Sequence, residues 1–266
     1  MCGIAGYVGE RNAVDVVFDE LVKLEYRGYD SAGVAYLDGG GISVLKKAGR
    51  LSELGKLVAQ SEAHSHSAIA HSRWATHGGP TDANAHPHLD GSGNLALIHN
   101  GIIENYLDLK EGLVQRGHRF LSQTDTEVAA HLIGEEYEKA GTLEEAVIRA
   151  AKQLRGAYSL VLLSLKEPGK IVAYRKTSPL VVGIGKGENI LASDVPALLP
   201  YTREVLVLED DTMAILTKDA VRYVSGDGRE LPIRPNSRWD RSLVREPPEN
   251  PKMKLKSSLK KYHRKD

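Results

Sequence analysis

Apolar positions along this chain recur first with a period of two, then 3.6, then two again. Gly3–Val8 reads as a short buried strand. Asn12 is placed to cap a helix running to about Leu24, with Val14, Val17, Phe18, Leu21 and Leu24 on one face. Ala32–Leu37 and Ile42–Leu45 read as a hairpin, because Asp38-Gly39-Gly40-Gly41 supplies turn chemistry. A short helix fits Leu51–Gln60 and a strand Ser67–Arg73. Trp74 to Gly93 then shows no period and is rich in Gly, Pro, His, Asn and Thr. A loop of that length in a compact domain is more often functional than idle. Asn94–His99 is a strand that ends on Asn100-Gly101, where the dipeptide taken alone reads as a tight turn.

Three helical patterns follow, at Asn105–Arg116, Asp125–Lys139 and Thr142–Leu154. Thr124 and its neighbours offer N-caps for the second, and Thr142-x-x-Glu145 is a capping box for the third. The period then returns to two in Tyr158–Leu163, Lys170–Tyr174, Leu180–Ile184, Glu204–Leu208, Thr212–Ile215 and Val221–Tyr223. Asp194–Leu199 reads as a helical turn. Strands, helices and strands in that order predict an α+β fold with antiparallel sheets covered by helices. After Gly226-Asp227-Gly228 the pattern dissolves into five prolines and a Lys-rich end. Residues 1–231 therefore read as one domain, and 232–266 as an extended or disordered basic tail.

Charge sharpens that division. The 266 residues balance 35 Lys and Arg against 35 Asp and Glu. Pro232–Asp266 holds eleven basic and four acidic residues, a net of +7, so the body carries −7. The tail reads as a solvated end rather than a nucleic-acid contact. No apolar run approaches the roughly 20 residues that span a bilayer, and no secretory leader is visible. The one cysteine excludes an internal disulfide framework and a Cys-rich zinc site. His64-x-His66 and His86-x-His88 match no zinc spacing, so no metal and no cofactor is expected. The expected setting is the cytoplasm.

That cysteine is Cys2, directly after Met1. Methionine excision would leave it as the terminal residue, with a thiol and a free α-amine on the same carbon. An α-amine titrates at roughly 7.7–8.0, so it can act as the base for the adjacent nucleophile. Alone, Cys2 reads equally as a small apolar residue opening a strand. Four further segments stand out: Arg27–Gly33 with its Tyr29-Asp30 pair, His71–Pro80 with Asn84–His88, His99–Asn105, and Ser122–Val128.

In this order behind Cys2, these segments resemble the class II glutamine amidotransferases. Within that class the resemblance is to the glutaminase domain of the glutamine–fructose-6-phosphate aminotransferases. It runs from Cys2 to about Ile233 and includes Ser178–Gly183, Gly187–Asn189 and Ala192–Asp194. It implies the four-layer αββα fold of N-terminal-nucleophile hydrolases. It also implies hydrolysis of L-glutamine to L-glutamate and ammonia through a γ-glutamyl thioester on Cys2.

Residue by residue, the resemblance makes the Asn100 amide and the Gly101 N–H the oxyanion donors. Arg73 takes the glutamine α-carboxylate and Asp125 its α-ammonium. Thr76 and His77 line the pocket, Trp74 opens a lid, His86 holds the loop, and Arg27 stands near the nucleophile. In that family a sugar-phosphate isomerase region follows the glutaminase domain, and the usual segment linking the two is not recognisable after Trp239. The expected partners are thus L-glutamine and an isomerase or synthase subunit that receives ammonia, with a homo-oligomer left open. Two alternatives stand at this point: a hydrolase of another small amide, and a non-enzymatic regulatory or binding module that keeps the fold.

Overall fold

Alternation in the first strand organises the molecule, because both of its faces are buried. Ile4 and Val8 point one way, Ala5 and Tyr7 the other. The computed structural model describes residues 2–28, 30–234 and 237–238. In chain order the elements are β1 (Gly3–Gly9), α1 (Ala13–Leu24), β2 (Ser31–Asp38), β3 (Gly41–Ala48), α2 (Leu51–Gln60), β4 (Ser67–Arg73), β5 (His88–Leu89) and β6 (Leu95–Ile103). Then come α3 (Tyr106–Gln115), α4 (Asp125–Lys139), α5 (Leu143–Ala151), β7 (Gly156–Ser164), β8 (Ile171–Lys176), β9 (Val181–Ile184) and β10 (Glu188–Ala192). The chain continues through β11 (Glu204–Val207), β12 (Thr212–Leu216), β13 (Val221–Ser225) and β14 (Ser237–Arg238).

The strands form two antiparallel sheets. One has eight strands in the order β14-β11-β9-β10-β1-β4-β2-β3, the other six in the order β13-β12-β8-β7-β6-β5. Ile4, Val8 and Ile69 from the first sheet meet Ala96, Ile98 and Val161 from the second in a core between the sheets. The outer face of the eight-stranded sheet packs on α1 and α2, through Ala5, Tyr7, Val17, Leu21 and Leu54. The outer face of the six-stranded sheet packs on α4 and α5, through Leu97, Val128, Leu132, Val147 and Leu160. Helix, sheet, sheet and helix are the four layers expected.

Local chemistry sets the helix starts. Asn12 Oδ1 accepts from Val14 N at 3.4 Å. Thr124 Oγ1 accepts from Glu127 N at 3.2 Å and so fixes the first turn of α4. Thr142 Oγ1 accepts from Glu145 N, while the Glu145 carboxylate reaches back to Gly141 N, both at 3.3 Å. That is a capping box with its return bond one residue early.

Three expectations need correction. Strand β6 does not end before Asn100-Gly101; it runs on to Ile103, and β7 pairs with it as far as Ile103 with Gly156. Asn100 pairs with Ser159 and Gly101 with Tyr158, so the dipeptide is no turn. The polarity there comes from a pocket, not from a chain reversal. Strand β10 escapes the periodic reading because Glu188 and Asn189 mask the short Ile190-Leu191-Ala192 run. Helix α5 stops at Ala151, short of Leu154. The reading of the tail as extended or disordered falls, beyond residue 234, almost wholly outside the described residues. No described helix is long and apolar enough to cross a membrane.

Candidate active site

Cys2 precedes β1 by one residue, on the same side as Ile4, at the open end of the layer between the sheets. It lines a pocket of about 330 Å³ together with Arg27, Arg73, Trp74, Thr76, His86, Asn100, Gly101 and Asp125. Of the residues expected to form a site, His77 alone stands outside that lining. Its Nδ1 lies 3.9 Å from the Asp125 carboxylate, and its ring packs edge-on against Tyr106. The pocket gathers groups from both sheets, from the start of α4 and from the aperiodic loop.

The thiol is held rather than loose. Trp74 N donates to Cys2 Sγ at 3.2 Å. Burial pushes the thiol pKa above its ordinary value, against the opposing pull of that N–H. At neutral pH the group is therefore a thiol and needs a base to become a nucleophile. The Cys2 carbonyl is fixed as well, accepting from Arg27 Nε and from Asn100 Nδ2, each at 3.2 Å. Arg27 is buried, and its Nη1 is paired with Asp194 at 2.9 Å. Its guanidinium thus clamps the backbone of the nucleophile.

Asn100 spans the sheets. It lies on β6 on the face of Ala96 and Ile98, and Oδ1 meets His71 Nε2 of β4 at 2.9 Å. Next to it, Gly101 has φ +114°, in the region that favours glycine, and a Cβ there would press into the carbonyl oxygen of Ala157. The strand can therefore carry its backbone along the pocket wall only with glycine at this position.

Asp125 is the first residue of α4 and is buried. Its Oδ2 accepts from Ile103 N at 2.9 Å. A carboxylate at a helix N-terminus is favoured by the orphan N–H groups there, and this one faces the pocket. Glu127, two residues on, holds the approach to the helix by accepting from Leu121 N and Ser122 N, both at 2.7 Å.

The loop has two unlike parts. Asn84 to His88 are buried, and Lys46 of β3 donates to the carbonyls of Ala83, Ala85 and Pro87 at 3.0–3.3 Å. Gly33 on β2 leaves room for the His86 carbonyl to lie against the strand. Trp74 to Pro80, by contrast, are exposed or half-buried, with Trp74 54% exposed. Arg73 holds this part, donating to the carbonyls of His77, Gly78 (3.2 Å) and Gly79 (3.4 Å). Asp30 holds it too, accepting from Ala75 N through one oxygen and from Ser31 Oγ at 2.9 Å through the other.

Behind the pocket, four histidines are buried. His86 stacks on His71 with ring centroids 4.3 Å apart, and its Nε2 meets Thr126 Oγ1 at 2.9 Å. The same hydroxyl lies 2.9 Å from His99 Nδ1. Burial moves His71 down to about 3 and pushes His86, His88 and His99 below the usual range, so all four are neutral. Among the described residues, no group of three or more His, Cys, Asp or Glu could hold a metal ion.

Several residues of the site escape sequence reading. Asp194 and His71 act through bonds to residues 167 and 29 positions away, and Asp30 through a bond to Ala75. Ser178 and Pro179 also line the pocket. Asp30, His71, Ser178, Pro179 and Asp194 all fall within the motifs that carry the resemblance, but none of those motifs pointed to a partner.

Known proteins resemble this chain over most of its length. A family described as a glutamine amidotransferase domain matches residues 71–200. The chain is 56% identical to the glutamine–fructose-6-phosphate aminotransferase (isomerizing) of Thermus thermophilus over 231 residues, 87% of this chain and 38% of that protein. It is 49% identical to the protein of the same name from Aquifex aeolicus, over 90% of this chain and 40% of that one. The chain thus spans about two fifths of the length of these relatives. Among solved structures, the glutamine phosphoribosylpyrophosphate amidotransferase of B. subtilis matches with a TM-score of 0.72 and 27% identity, over 85% of this chain and 49% of that one.

Proposed function

We propose, from the premise that this chain belongs to the class II glutamine amidotransferases through its N-terminal-nucleophile glutaminase domain, that it hydrolyses L-glutamine to L-glutamate and ammonia. The observation that carries the reading is the meeting of three groups in one pocket. They are a half-buried thiol on residue 2, an amide donor from the opposite sheet, and a buried carboxylate at a helix start.

The reaction needs Met1 removed. The α-amine of Cys2 then takes the Sγ proton as sulfur attacks the side-chain carboxamide carbon of glutamine. Negative charge builds on the amide oxygen. Asn100 carries two N–H bonds on Nδ2. One is engaged on the Cys2 carbonyl, and the other meets the oxyanion together with the Gly101 N–H. Collapse breaks the C–N bond, and the α-ammonium returns its proton to the departing ammonia. A γ-glutamyl thioester remains on Sγ. Water attacks it with the α-amine again as base, and glutamate leaves with the thiol restored.

Asp125 pairs with the substrate ammonium. Arg73 takes its carboxylate by exchanging loop carbonyls for carboxylate oxygens, so binding is coupled to rearrangement of Trp74–Gly79. Thr76 completes the pocket, His77 stands just outside it beside Asp125, and His86 holds the loop from below. The ammonia goes to a partner that aminates a sugar phosphate, in keeping with the reaction named for the relatives.

Intact mass and a glutamate-release assay test this together. The expected result is a protein lacking Met1 that forms glutamate and ammonia in equal amounts, with Cys2→Ala inactive and folded. An amide lacking the α-amine should be a poor substrate. Processed, folded protein that releases no glutamate, alone or with any sugar-phosphate-aminating partner, overturns the reading.

A further inference from the structure

His71 takes no part in the chemistry above, yet it is the group that decides which way the Asn100 amide points. An Asn side chain presents an acceptor on one side and donors on the other, and the two orientations are nearly equal in shape. Here Nδ2 donates to the Cys2 carbonyl, so Oδ1 is the atom that faces His71. An acceptor there requires His71 Nε2 to carry hydrogen. The neutral ring can do this in one tautomer only.

The surroundings keep it so. His71 is fully buried, flanked by Ile4 of β1 and Gly33 of β2 in the sheet. Its ring is stacked on His86, which is held in turn by the Thr126 hydroxyl. Arg73 and two neutral histidines are the nearby titratable groups, and all disfavour a charge on the ring. The bond also joins the two sheets at the pocket end of their shared core, from β4 to β6.

We infer that His71 is a positioning residue: its neutral Nε2–H fixes the Asn100 amide so that the donor, not the acceptor, faces the reacting carbonyl. Without it, the amide can turn and present Oδ1 to a developing negative charge, which repels rather than stabilises it. This inference rests on the glutaminase reading for its kinetic consequence, but not for its structural one.

The test has two arms. In the kinetic arm, His71→Leu removes the donor, and His71→Gln restores an N–H near the position of Nε2. Loss of a single oxyanion donor costs about 10²–10³ in kcat, and misorientation should cost part of it. His71→Leu is expected to lower kcat about 10–100-fold with KM within about threefold, and His71→Gln to recover most of the loss. In an Asn100→Ala background, His71→Leu should cost nothing further, because the group it orients is gone. A folded His71→Leu protein with unchanged kcat overturns the inference, as does a loss of the same size in the Asn100→Ala background.

The second arm uses the unaltered protein and needs no variant to fold. Nitrogen-15 spectra of His71 should report the neutral Nε2–H tautomer from pH 5 to 9. An Nδ1–H tautomer, or a ring that protonates in that range, overturns the inference. Absence of glutamate release from processed wild-type protein defeats the glutaminase reading alone, and leaves the tautomer result to judge His71.

Discussion

On one side of the pocket, Cys2, His71 and Asn100 sit on or beside strands whose positions are set by sheet pairing. On the other, Trp74 to Gly79 have no regular structure and are held by side chains, among them those of Arg73, Asp30 and Asn84. On the strand side His71 and Asn100 are buried, and their polar atoms are tied to fixed partners. The loop side is exposed, and its anchor Arg73 doubles as the proposed substrate ligand. The contrast teaches how one small site combines a fixed electrostatic target with an entrance. Oxyanion stabilisation rewards groups that do not reorganise, whereas admitting and releasing a substrate requires a segment that does.

The largest expected effect breaks the fixed side. Gly101→Ala forces a Cβ against the Ala157 carbonyl at a left-handed φ, which should cost about 3 kcal/mol of stability and abolish glutamate release. Chemical denaturation and the glutaminase assay check both halves of that statement. Next comes Asn100→Ala. It should lower kcat about 10²–10³-fold with little change in KM, and cost about 1–3 kcal/mol of stability, since the bonds to the Cys2 carbonyl and to His71 go with the transition-state donor.

A change on the entrance side should look different. Asp30→Ala frees Ala75 N and Ser31 Oγ without touching the nucleophile. KM is expected to rise about three- to tenfold with kcat nearly unchanged, and the Ala75 amide to exchange faster with deuterium. A kcat loss equal to that of Asn100→Ala would erase the distinction between the two sides.

The smallest effect concerns pH. Because burial raises the Cys2 thiol pKa, the thiol form prevails at pH 7 and alkylation grows as pH rises. In protein retaining Met1, modification of Cys2 by iodoacetamide should have its midpoint above the ordinary thiol value of about 8.5. A midpoint below that value would show the thiol more activated than its burial allows.

The two sides were also unequally legible in the sequence. Helix α1 follows from its apolar face and the Asn12 cap, α4 from the Thr124 cap, and α2 and β4 from their apolar pattern alone. Strand β10 does not, since two polar residues open a run of three apolar ones. Asn100-Gly101 misled for a related reason: its composition is that of a turn, while its conformation is imposed by pairing with Tyr158 and Ser159. The pocket residues were found by resemblance rather than by period. His71 and Asp194 stayed hidden because their meaning lies in partners far along the chain. A histidine inside a buried strand gives no local sign that it orients an amide 29 residues away.

One consequence concerns time during synthesis. Strand β1 does not lie at a sheet edge; it is inserted between β4 and β10, with Ala5 opposite both Ala70 and Ala192. The first strand made is therefore among the last to be enclosed, because its second neighbour emerges some 190 residues later. At ordinary elongation rates that delay is roughly 10–40 s. Throughout it the start of the chain stays open to a processing enzyme. Once β10 docks, Cys2 stands in the wall of a formed pocket. On the proposed mechanism, the order of strands thus gives the ribosome-bound chain an interval in which to acquire its base.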